Sequence, residues 1–318
     1  MSSPDWPLAL RHYGSCDERE ARLERAAATA GANVVEFGRS VEDRPLRAAV
    51  VPSSSSSSVP SVLVDANLHG IEWIGAQCAL GILDALAGPQ GRALRERAVV
   101  VVAPCLNPDG AARTERQRGH GTLKELRTNA HGVDLNRNFP LPHGAQPFFL
   151  TATGSADPAA ATYRGTAAFS EPETRAVEAL AEQHHFHAVL SFHSFMGTLI
   201  PPKVTSSSEA AVYRSLCRTF RKGQTHWFAP TFMCAPLDVF TGELEDHLHH
   251  VHHAWSLTVE VFPFWRSLAQ HLWAPSIFQR FNPQDPGVAV DDAVAGGLAC
   301  LLAALDRPRP AALIGSTS

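Results

Sequence analysis

Residues 61–103 read SVLVDANLHGIEWIGAQCALGILDALAGPQGRALRERAVVVVA, and this stretch decides the fold class. Its β-rich start, 61–65, predicts a strand, and apolar residues at helical spacing follow until Gly88. Its end, 98–103, is apolar throughout, which is typical of a strand buried on both faces. A strand, a helix and an apolar strand in this order predict an α/β protein with an internal, largely parallel sheet.

Shorter elements precede this stretch. Residues 17–30 predict a helix that stops at Gly31, and residues 47–51 predict a strand. The segment 52–60, rich in serine and bounded by prolines, has the composition of a solvated loop. We interpret it as the flexible tip of a hairpin between the neighbouring strands 47–51 and 61–65.

After the apolar strand, residues 107–165 show little periodicity, so we expect a long loop, and such loops are usually functional. Regular structure is then predicted as a helix over 171–183, a strand over 188–192, a helix around 209–221, a strand over 256–261 and a closing helix after residue 291. No sharp boundary divides the chain. We therefore expect a single domain over residues 1–318, with its motifs between residues 62 and 262.

The composition excludes several classes of protein. Lys and Arg number 27 against 31 Asp and Glu, and a net charge of −4 gives no reason to expect nucleic acid binding. A hydrophobic fraction of 45% with 18% charged residues indicates a folded chain. The six cysteines form no C-x-x-C pair, which argues against a disulfide framework. No membrane span or secretory signal is recognisable, so we expect a cytoplasmic protein without a membrane partner.

His69 and Glu72 lie where the strand 61–65 gives way to the helix. Three residues apart on a first helical turn, their side chains would project to the same side and could share one metal ion. This spacing is weak evidence by itself, because the chain has 16 histidines. His193, at the carboxyl end of a predicted strand, offers a third ligand, since ligands gather at such ends in open α/β sheets. A core histidine held by a hydrogen bond is the alternative.

Glu260 is a lone carboxylate inside an apolar strand. Burying such a group without a partner is costly, so it must be paired or lie near a metal. Glu260 could form a structural salt bridge or act as a general base, and both interpretations remain open.

The motifs resemble, in order and separation, those of the zinc metallocarboxypeptidases of the carboxypeptidase A type. They are His69-x-x-Glu72, Asn107-Pro-Asp-Gly110, Asp134-Leu-Asn-Arg-Asn-Phe139, His193 and Glu260. Residues 127–140, RTNAHGVDLNRNFP, are most similar to the short bacterial branch that includes murein tripeptide amidases. The resemblance implies a three-layer α/β/α domain of the phosphorylase/hydrolase-like zinc exopeptidase fold, with a mixed, mainly parallel sheet of about eight strands.

The resemblance also implies the chemistry of single residues. His69, Glu72 and His193 would hold one Zn²⁺ per chain, and Glu260 would be the general base. Arg127 would stabilise the oxyanion, although Arg113, Arg116 and Arg118 on the same loop are alternatives. Asn136 and Arg137 would grip the terminal carboxylate of a peptide substrate. The Asn107 motif is expected to have a structural role.

Residues 235–246 depart from the family, because they contain no tyrosine where many members carry one to cap the substrate. Phe240 or Asp238 is expected in its place. Glu243, Glu245 and Asp246 are expected near the substrate's side-chain pocket, where Glu245 would favour a cationic or zwitterionic group. An exposed acidic turn is the alternative.

Histidines are concentrated in two short stretches, 184–187 and 247–253. We expect them to form solvated faces rather than a second metal site.

Three functions remain open. The first is a metallocarboxypeptidase that hydrolyses an amide next to a free terminal carboxylate. The second is an N-acyl amino acid deacylase of the aspartoacylase and succinylglutamate desuccinylase group, whose members share the zinc ligands but usually read H-G-N-E at the first motif. The third is a non-catalytic member of the fold.

Overall fold

A computed structural model of the chain describes residues 10–55, 57–142, 145, 154–224, 233–234, 240–262, 272–274 and 276–311. In this part of the chain, one mixed sheet has the strand order β1-β2-β4-β3-β5-β8-β6-β7. The strands are β1 (Asn33–Arg39), β2 (Pro45–Val51), β3 (Ser61–Ala66), β4 (Val99–Ala103), β5 (Ala188–Ser194), β6 (Thr198–Ile200), β7 (Met233–Cys234) and β8 (Trp255–Val261). The predicted α/β class and the eight-stranded mixed sheet are confirmed.

The four central strands, β4, β3, β5 and β8, run parallel to one another. Antiparallel pairing occurs towards the edges, between β1 and β2, β2 and β4, and β8 and β6. Every residue of β5 is buried, as expected for a central strand covered on both faces. The carboxyl ends of the central strands therefore lie together at one edge of the sheet.

Helices cover both faces of the sheet. They are α1 (Cys16–Ala30), α2 (Trp73–Ala87), α3 (Arg92–Arg97), α4 (Pro108–Arg116), α5 (Leu123–Arg127), α6 (Pro172–His184), α7 (Ser207–Gly223), α8 (Leu244–His250), α9 (Phe278–Phe281) and α10 (Gly287–Leu305). Residues of α1, α2, α7 and α10 share one apolar core with one face of the sheet, and residues of α6 and α8 share a second core with the other face. This arrangement is the expected three-layer α/β/α architecture.

The interpretation of 52–60 as a hairpin tip is wrong. β2 and β3 are not neighbours, because β4 lies between them and pairs with both. The helix α2 carries the chain from the end of β3 back to the start of β4, which places β4 beside β3 in parallel. The serine-rich loop is partly held, since Ser53 Oγ and Ser54 N both donate hydrogen bonds to the carbonyl oxygen of Arg95.

The expectation of one long loop over 107–165 is also wrong in part, because α4 and α5 lie within it. Asn107 caps α4 by accepting a hydrogen bond from Gly110 N, and Pro108 occupies its first turn. Thr122 and Glu125 form a capping box that starts α5. Helices this short carry too few apolar residues for their periodicity to be recognised.

The helix α10 is long and apolar enough to cross a membrane by length and composition alone, with a mean hydropathy of 1.8 over its most apolar window. The expectation that no stretch meets this criterion is therefore not confirmed. Half of that window is buried inside the structure, against α7, α2 and the sheet. At Gly296, a Cβ atom would lie only 2.7 Å from the carbonyl oxygen of Phe220, so α10 and α7 are in close contact.

Candidate metal centre

His69 and Glu72 belong to a turn rather than to a helix. The helix α2 begins at Trp73, and Glu72 has the non-helical backbone angles φ −90° and ψ 66°. The turn is closed by a hydrogen bond of 3.0 Å from Glu72 N to the carbonyl oxygen of His69. The predicted proximity of the two side chains is thus produced by a turn, and their placement on a first helical turn is wrong.

Gly70 allows this turn to lie directly against α4. A Cβ atom at Gly70 would be 2.4 Å from the carbonyl carbon of Gly110, so no larger residue fits without a backbone shift. The Asn107 amide donates hydrogen bonds to the carbonyl oxygens of Leu68 and Arg127. Gly70 N donates to the same Arg127 oxygen at 3.0 Å. The Asn107 motif therefore supports the turn, in the structural role expected of it.

The structure brings His69, Glu72 and His193 together in what we call the metal centre. His69 Nδ1 lies 2.9 Å from Glu72 Oε1, and His193 Nδ1 lies 3.0 Å from Glu72 Oε2 and 3.1 Å from His69 Nδ1. Neighbouring ligand atoms around a tetrahedral zinc ion are about 3.3 Å apart. Two imidazole nitrogens and a carboxylate that converge at this spacing fit Zn²⁺.

The second nitrogen of each imidazole ring is also engaged. His69 Nε2 lies 3.2 Å from Asp134 Oδ1, and His193 Nε2 lies 3.2 Å from Ser191 Oγ. Ser191 in turn donates a hydrogen bond of 2.6 Å to the buried carboxyl group of Asp65. Such partners fix the orientation of histidines that bind a metal.

Electrostatics set Glu72 and His193 in the forms that a metal requires, whereas the effect of burial on His69 is outweighed by Glu72 and Asp134, which raise its pKa. Burial favours the neutral form of Glu72, but the two histidines beside it lower its pKa below the usual range. Burial lowers the pKa of His193, against the opposing effect of Glu72. A carboxylate anion and a neutral imidazole are the protonation states that ligate a cation.

Glu260 lies beside the metal centre, because it is the partner of His193 in the pairing of β5 with β8. Its Oε2 is shielded from solvent and has no hydrogen bond within the described residues. Glu260 also forms no ion pair within the described residues. Burial, assisted by Glu72, raises the pKa of Glu260 to about 8, while His69 and Arg127 oppose the shift. The structure therefore gives no support to a structural salt bridge.

Arg127 reaches the same centre from the end of α5. Its Nε donates a hydrogen bond of 2.9 Å to Asp134 Oδ2, and one of its terminal nitrogens lies 3.9 Å from Glu72 Oε1. Arg127 and His69 together lower the pKa of Asp134 below its usual range, despite complete burial. Asp134 thus holds both an arginine and a histidine of the site.

The alternative arginines point elsewhere. Arg113 donates its hydrogen bonds to the carbonyl oxygens of Glu125 and Asn129, and Arg116 and Arg118 are exposed. Among the four candidates, Arg127 is the one beside the metal centre.

Asn136 and Arg137 connect the metal centre to α8. Asp134 Oδ1 accepts a hydrogen bond from Asn136 N, and Asn136 Oδ1 accepts one from Leu244 N, each at 2.9 to 3.0 Å. Arg137 forms an ion pair of 2.8 Å with Glu243, the residue just before α8. The amino-terminal end of α8 is therefore held against the D-x-N-R-N-F motif.

The acidic residues at the start of α8 are buried, so the alternative interpretation of this segment as an exposed acidic turn is wrong. Glu243, Glu245 and Asp246 are only 2 to 5% exposed. Glu243 is paired with Arg137, and Asp246 accepts a hydrogen bond from Lys203 N. Within the described residues Glu245 Oε2 has no hydrogen bond, and burial together with Glu243 and Asp246 raises the pKa of Glu245 well above its usual range.

The position of the missing tyrosine is described only in part. Asp238 lies outside the described residues. Phe240 is half-buried, with its ring 5.6 Å from that of His250 and below the amine of Lys203.

The comparisons with known proteins assign the chain to a family. The family model described as Zinc carboxypeptidase matches residues 23–263, which is most of the chain. The chain belongs to the zinc carboxypeptidase family. Zinc is the metal of this family, and the donor set of the metal centre fits it.

Curated relatives cover the same region. The chain is 30% identical over 206 residues to zinc carboxypeptidase A 1 of Anopheles gambiae, which is 62% of this chain and 46% of that protein. It is 28% identical over 177 residues to carboxypeptidase A1 of Bos taurus, covering 53% of this chain and 41% of that protein. The chain thus spans less than half the length of these relatives.

Solved structures show the same fold. The bovine thrombin-activatable fibrinolysis inhibitor, in complex with a tick carboxypeptidase inhibitor, aligns with a TM-score of 0.74 and 19% identity over 92% of this chain and 98% of that chain. Carboxypeptidase A from Helicoverpa armigera aligns with a TM-score of 0.68 and 20% identity, over 94% of this chain and 77% of that chain.

Two features of the structure are not evident from the sequence. Asp65 and Ser191 support His193 from two different strands, and only strand order brings them together. The histidines after residue 246 were expected on a solvated face, but His247 and His249 are 2 and 3% exposed. Phe139 and Phe169, which pack against His247, are distant in sequence, so no local pattern marks its burial.

Proposed function

We propose that this chain is a zinc-dependent carboxypeptidase that hydrolyses the amide bond next to a free terminal carboxylate. The observation that carries the proposal is the position of Glu260 beside the three metal donors, with an Oε2 that has no hydrogen bond within the described residues. Family membership and the fit of the donor set to zinc support it.

Glu260 is proposed as the general base. Zinc, when bound, lowers the pKa of a coordinated water and polarises the scissile carbonyl. Glu260 accepts the proton of the attacking water and returns it to the leaving amine, a role for which a raised pKa suits a carboxyl group. With a cation held by the three donors, the upward shift of the Glu260 pKa would be opposed, which would favour the carboxylate form that accepts a proton.

Arg127 is proposed to stabilise the negative charge that develops on the carbonyl oxygen. Its guanidinium is held in place by Asp134, so little reorganisation is needed during the reaction. The removal of such a donor costs about 3 kcal/mol of transition-state stabilisation in comparable enzymes.

Asn136 and Arg137 are proposed to bind the terminal carboxylate of the substrate. Arg137 presents a planar guanidinium that can bind a carboxylate through two parallel hydrogen bonds. Its charge lowers the pKa of Asp134, which in turn contacts His69, so Arg137 lies within electrostatic reach of the metal centre.

The terminal side chain of the substrate is proposed to be cationic or zwitterionic. Of the three buried acids at α8, Glu245 is the one whose Oε2 accepts no hydrogen bond within the described residues. A lysine, arginine or diaminopimelate ammonium group would supply that hydrogen bond.

The deacylase and the non-catalytic member of the fold are the competing functions. The first motif reads His69-Gly70-Ile71-Glu72 rather than the H-G-N-E of the deacylase group, and the whole D-x-N-R-N-F run is present. The presence of Glu260 and Arg127 at the centre opposes a loss of catalysis.

The test is product identification by mass spectrometry. Peptides that end in Lys, Arg, Leu or Phe, as free acids and as amides, are incubated with and without a chelator, together with the murein tripeptide and N-acyl amino acids. We expect release of a terminal Lys or Arg from free acids only, lost on chelation, and a weaker preference for Lys in Glu245→Gln. Cleavage of acyl amino acids alone would favour the deacylase, and no cleavage with zinc bound would favour the non-catalytic member.

A further inference from the structure

A second group of side chains that could hold a metal ion lies outside the metal centre. It consists of Glu178 on α6, His247 on α8 and His252 in the turn after α8. Each offers one ligand atom, and these atoms all lie within 4.8 Å of one another. We call this group the α6–α8 cluster.

The donors of the cluster converge on one point. His247 Nε2 and His252 Nε2 lie 2.6 and 2.9 Å from the same oxygen, Glu178 Oε2. The two imidazole rings meet at a centroid distance of 5.3 Å. Two imidazole nitrogens and one carboxylate form a donor set that zinc and similar divalent ions accept.

The ring of His247 is fixed in this position. It stacks on Phe139 at a centroid distance of 5.7 Å and meets the edge of Phe169 at 5.3 Å. Little side-chain freedom remains to be lost when the nitrogen binds an ion. This donor is therefore held in place before any ligand arrives.

The cluster is also open to solvent on one side. The side chain of His247 is 2% exposed, but those of His252 and Glu178 are 10 and 22% exposed. An ion can enter from this side, and water can complete its coordination. The nearby His249 and His250 bind elsewhere, to the Tyr213 hydroxyl and to the carbonyl oxygen of Lys203.

We propose that Glu178, His247 and His252 bind a second divalent cation of the zinc class. Because α6 and α8 belong to different parts of the chain, the ion would join the two helices. The other end of α8 carries the contacts of Glu243 with Arg137 and of Leu244 with Asn136. An ion in the cluster therefore stabilises the helix on which the proposed carboxylate site rests.

A metal-free alternative exists for the same contacts. A carboxylate between two histidines is a hydrogen-bonded ion pair when the imidazoles are protonated, and the two histidines lower the pKa of Glu178 to about 2. The alternative predicts no binding of zinc at this place, so metal stoichiometry separates the two.

The test is a zinc titration of the full chain at pH 7.5 by isothermal calorimetry, with the metal content checked by mass spectrometry after gel filtration. The wild-type chain should bind two equivalents of Zn²⁺. Glu178→Gln and His252→Gln, which keep the size and hydrogen-bonding capacity of the cluster, should bind the second equivalent at least about tenfold more weakly. His120→Gln removes an exposed histidine between α4 and α5 and should still bind two.

Thermal unfolding gives an independent measurement. A second equivalent of Zn²⁺ should raise the Tm of the wild-type chain and of His120→Gln, but not that of His252→Gln. A wild-type chain that binds one equivalent at all zinc concentrations up to about 100-fold above the protein would overturn the proposal. Two equivalents in wild type and in both cluster variants would do the same.

Zinc bound by the α6–α8 cluster can be distinguished from zinc bound by the metal centre. His193→Ala should lose the other equivalent and keep the one in the cluster. If His193→Ala binds as much zinc as wild type while His252→Gln loses an equivalent, the metal centre fails and the second site remains.

Discussion

At the scale of single residues, Glu260 has a position that stability does not explain. Its Oε2 has no hydrogen bond within the described residues, although it lies in a buried strand. An unsatisfied carboxyl group of this kind costs free energy of folding, so its presence next to the metal donors is best explained by a function.

Replacement of Glu260 by glutamine should abolish most of the turnover and leave the metal in place. The amide keeps the shape of the side chain but cannot accept a proton, so kcat should fall about 10²- to 10⁴-fold. Zinc content by mass spectrometry and kcat on the best free-acid peptide are measured together. Glu96→Gln, at an exposed position of α3, is the control. Full turnover of Glu260→Gln with zinc bound would end the proposed mechanism.

Asp65 links stability to pH. Burial raises the pKa of Asp65 to about 7, against the hydrogen bond from Ser191, whereas its ordinary value is 3.8. Between these values the folded protein keeps a proton that the unfolded chain has released, so stability is lost as the pH rises through this window. The loss attributable to Asp65 is at most about 4 kcal/mol, since one pKa unit corresponds to about 1.4 kcal/mol.

Asp65→Asn should therefore become relatively more stable as the pH rises. The difference in unfolding free energy between variant and wild type should shift by a few kcal/mol in favour of the variant from pH 5 to pH 8. Urea unfolding at both pH values measures it. Asp43→Asn, at a side chain that is 81% exposed, should show no such shift. Equal differences at pH 5 and pH 8 for Asp65→Asn would contradict the raised pKa.

Single residues with a motif around them could be predicted from the sequence. The resemblance of the motifs to the carboxypeptidase A type singles out His69, Glu72, His193 and Glu260, and the structure brings them together. The roles of Asp65 and Ser191 could not be predicted from the sequence, because a buried aspartate and a serine on separate strands form no local pattern. The partnership of Asp134 with His69 was missed for the same reason, since 65 residues separate them.

At the scale of elements, the turn that carries His69 and Glu72 depends on its contact with α4. Gly70 lies against the backbone of Gly110, and the carbonyl oxygen of Arg127 accepts a hydrogen bond from Gly70 N. The turn, α4 and the end of α5 thus form one unit around two of the metal donors.

Gly70→Ala should weaken both folding and zinc binding. The added Cβ would meet backbone atoms of Gly110 at 2.4 to 2.8 Å, which cannot move as a flexible side chain can. We expect a loss of about 1 to 3 kcal/mol in unfolding free energy, together with a lower affinity for zinc, because the turn must shift. Urea unfolding and a zinc titration measure the two effects.

Gly88→Ala is the matched control, since its Cβ would find its nearest neighbour 3.7 Å away, at the carbonyl oxygen of Ala85. If Gly70→Ala behaved like Gly88→Ala in both measurements, the close approach would not be what holds the turn.

Long elements could be predicted, and short ones could not. The apolar run of β4 and the periodicity of α2 were sufficient for both to be recognised. The helices α4 and α5 were missed, because their few residues are held by caps and by tertiary contacts. The burial of His247 was missed too, because Phe139 and Phe169 that cover it are distant in sequence.

At the scale of the whole molecule, strand order decides which residues meet. The hairpin expected from β2 to β3 is excluded, because β4 takes the place between them. Composition and element order predict the class of fold, but many strand orders are compatible with them. The order seen here aligns β3, β5 and β8, and it is this alignment that assembles the metal centre from residues 69, 72, 193 and 260.

Zinc in the metal centre should stabilise the fold as a whole, because its ligands come from two separate segments of the chain. A ligand that binds only the folded state at about 100 times its Kd adds about 2.7 kcal/mol of stability. For a chain of 318 residues, whose unfolding entropy is about 2.1 cal/mol/K per residue, that corresponds to about 4 °C in Tm. The test uses His252→Gln, a variant in which the α6–α8 cluster does not contribute. We expect a chelator to lower the Tm of this variant by this amount.

The control for this prediction is the double variant His193→Ala/His252→Gln, which lacks a ligand in each site and should unfold at the same temperature with and without the chelator. Both chains are measured by differential scanning calorimetry at one protein concentration. An unchanged Tm of His252→Gln on chelation, with zinc shown to be bound beforehand, would mean that the centre binds its ion without any gain in stability. The donors would then have to converge equally well in the unfolded chain, which the separation of Glu72 from His193 in sequence makes physically implausible.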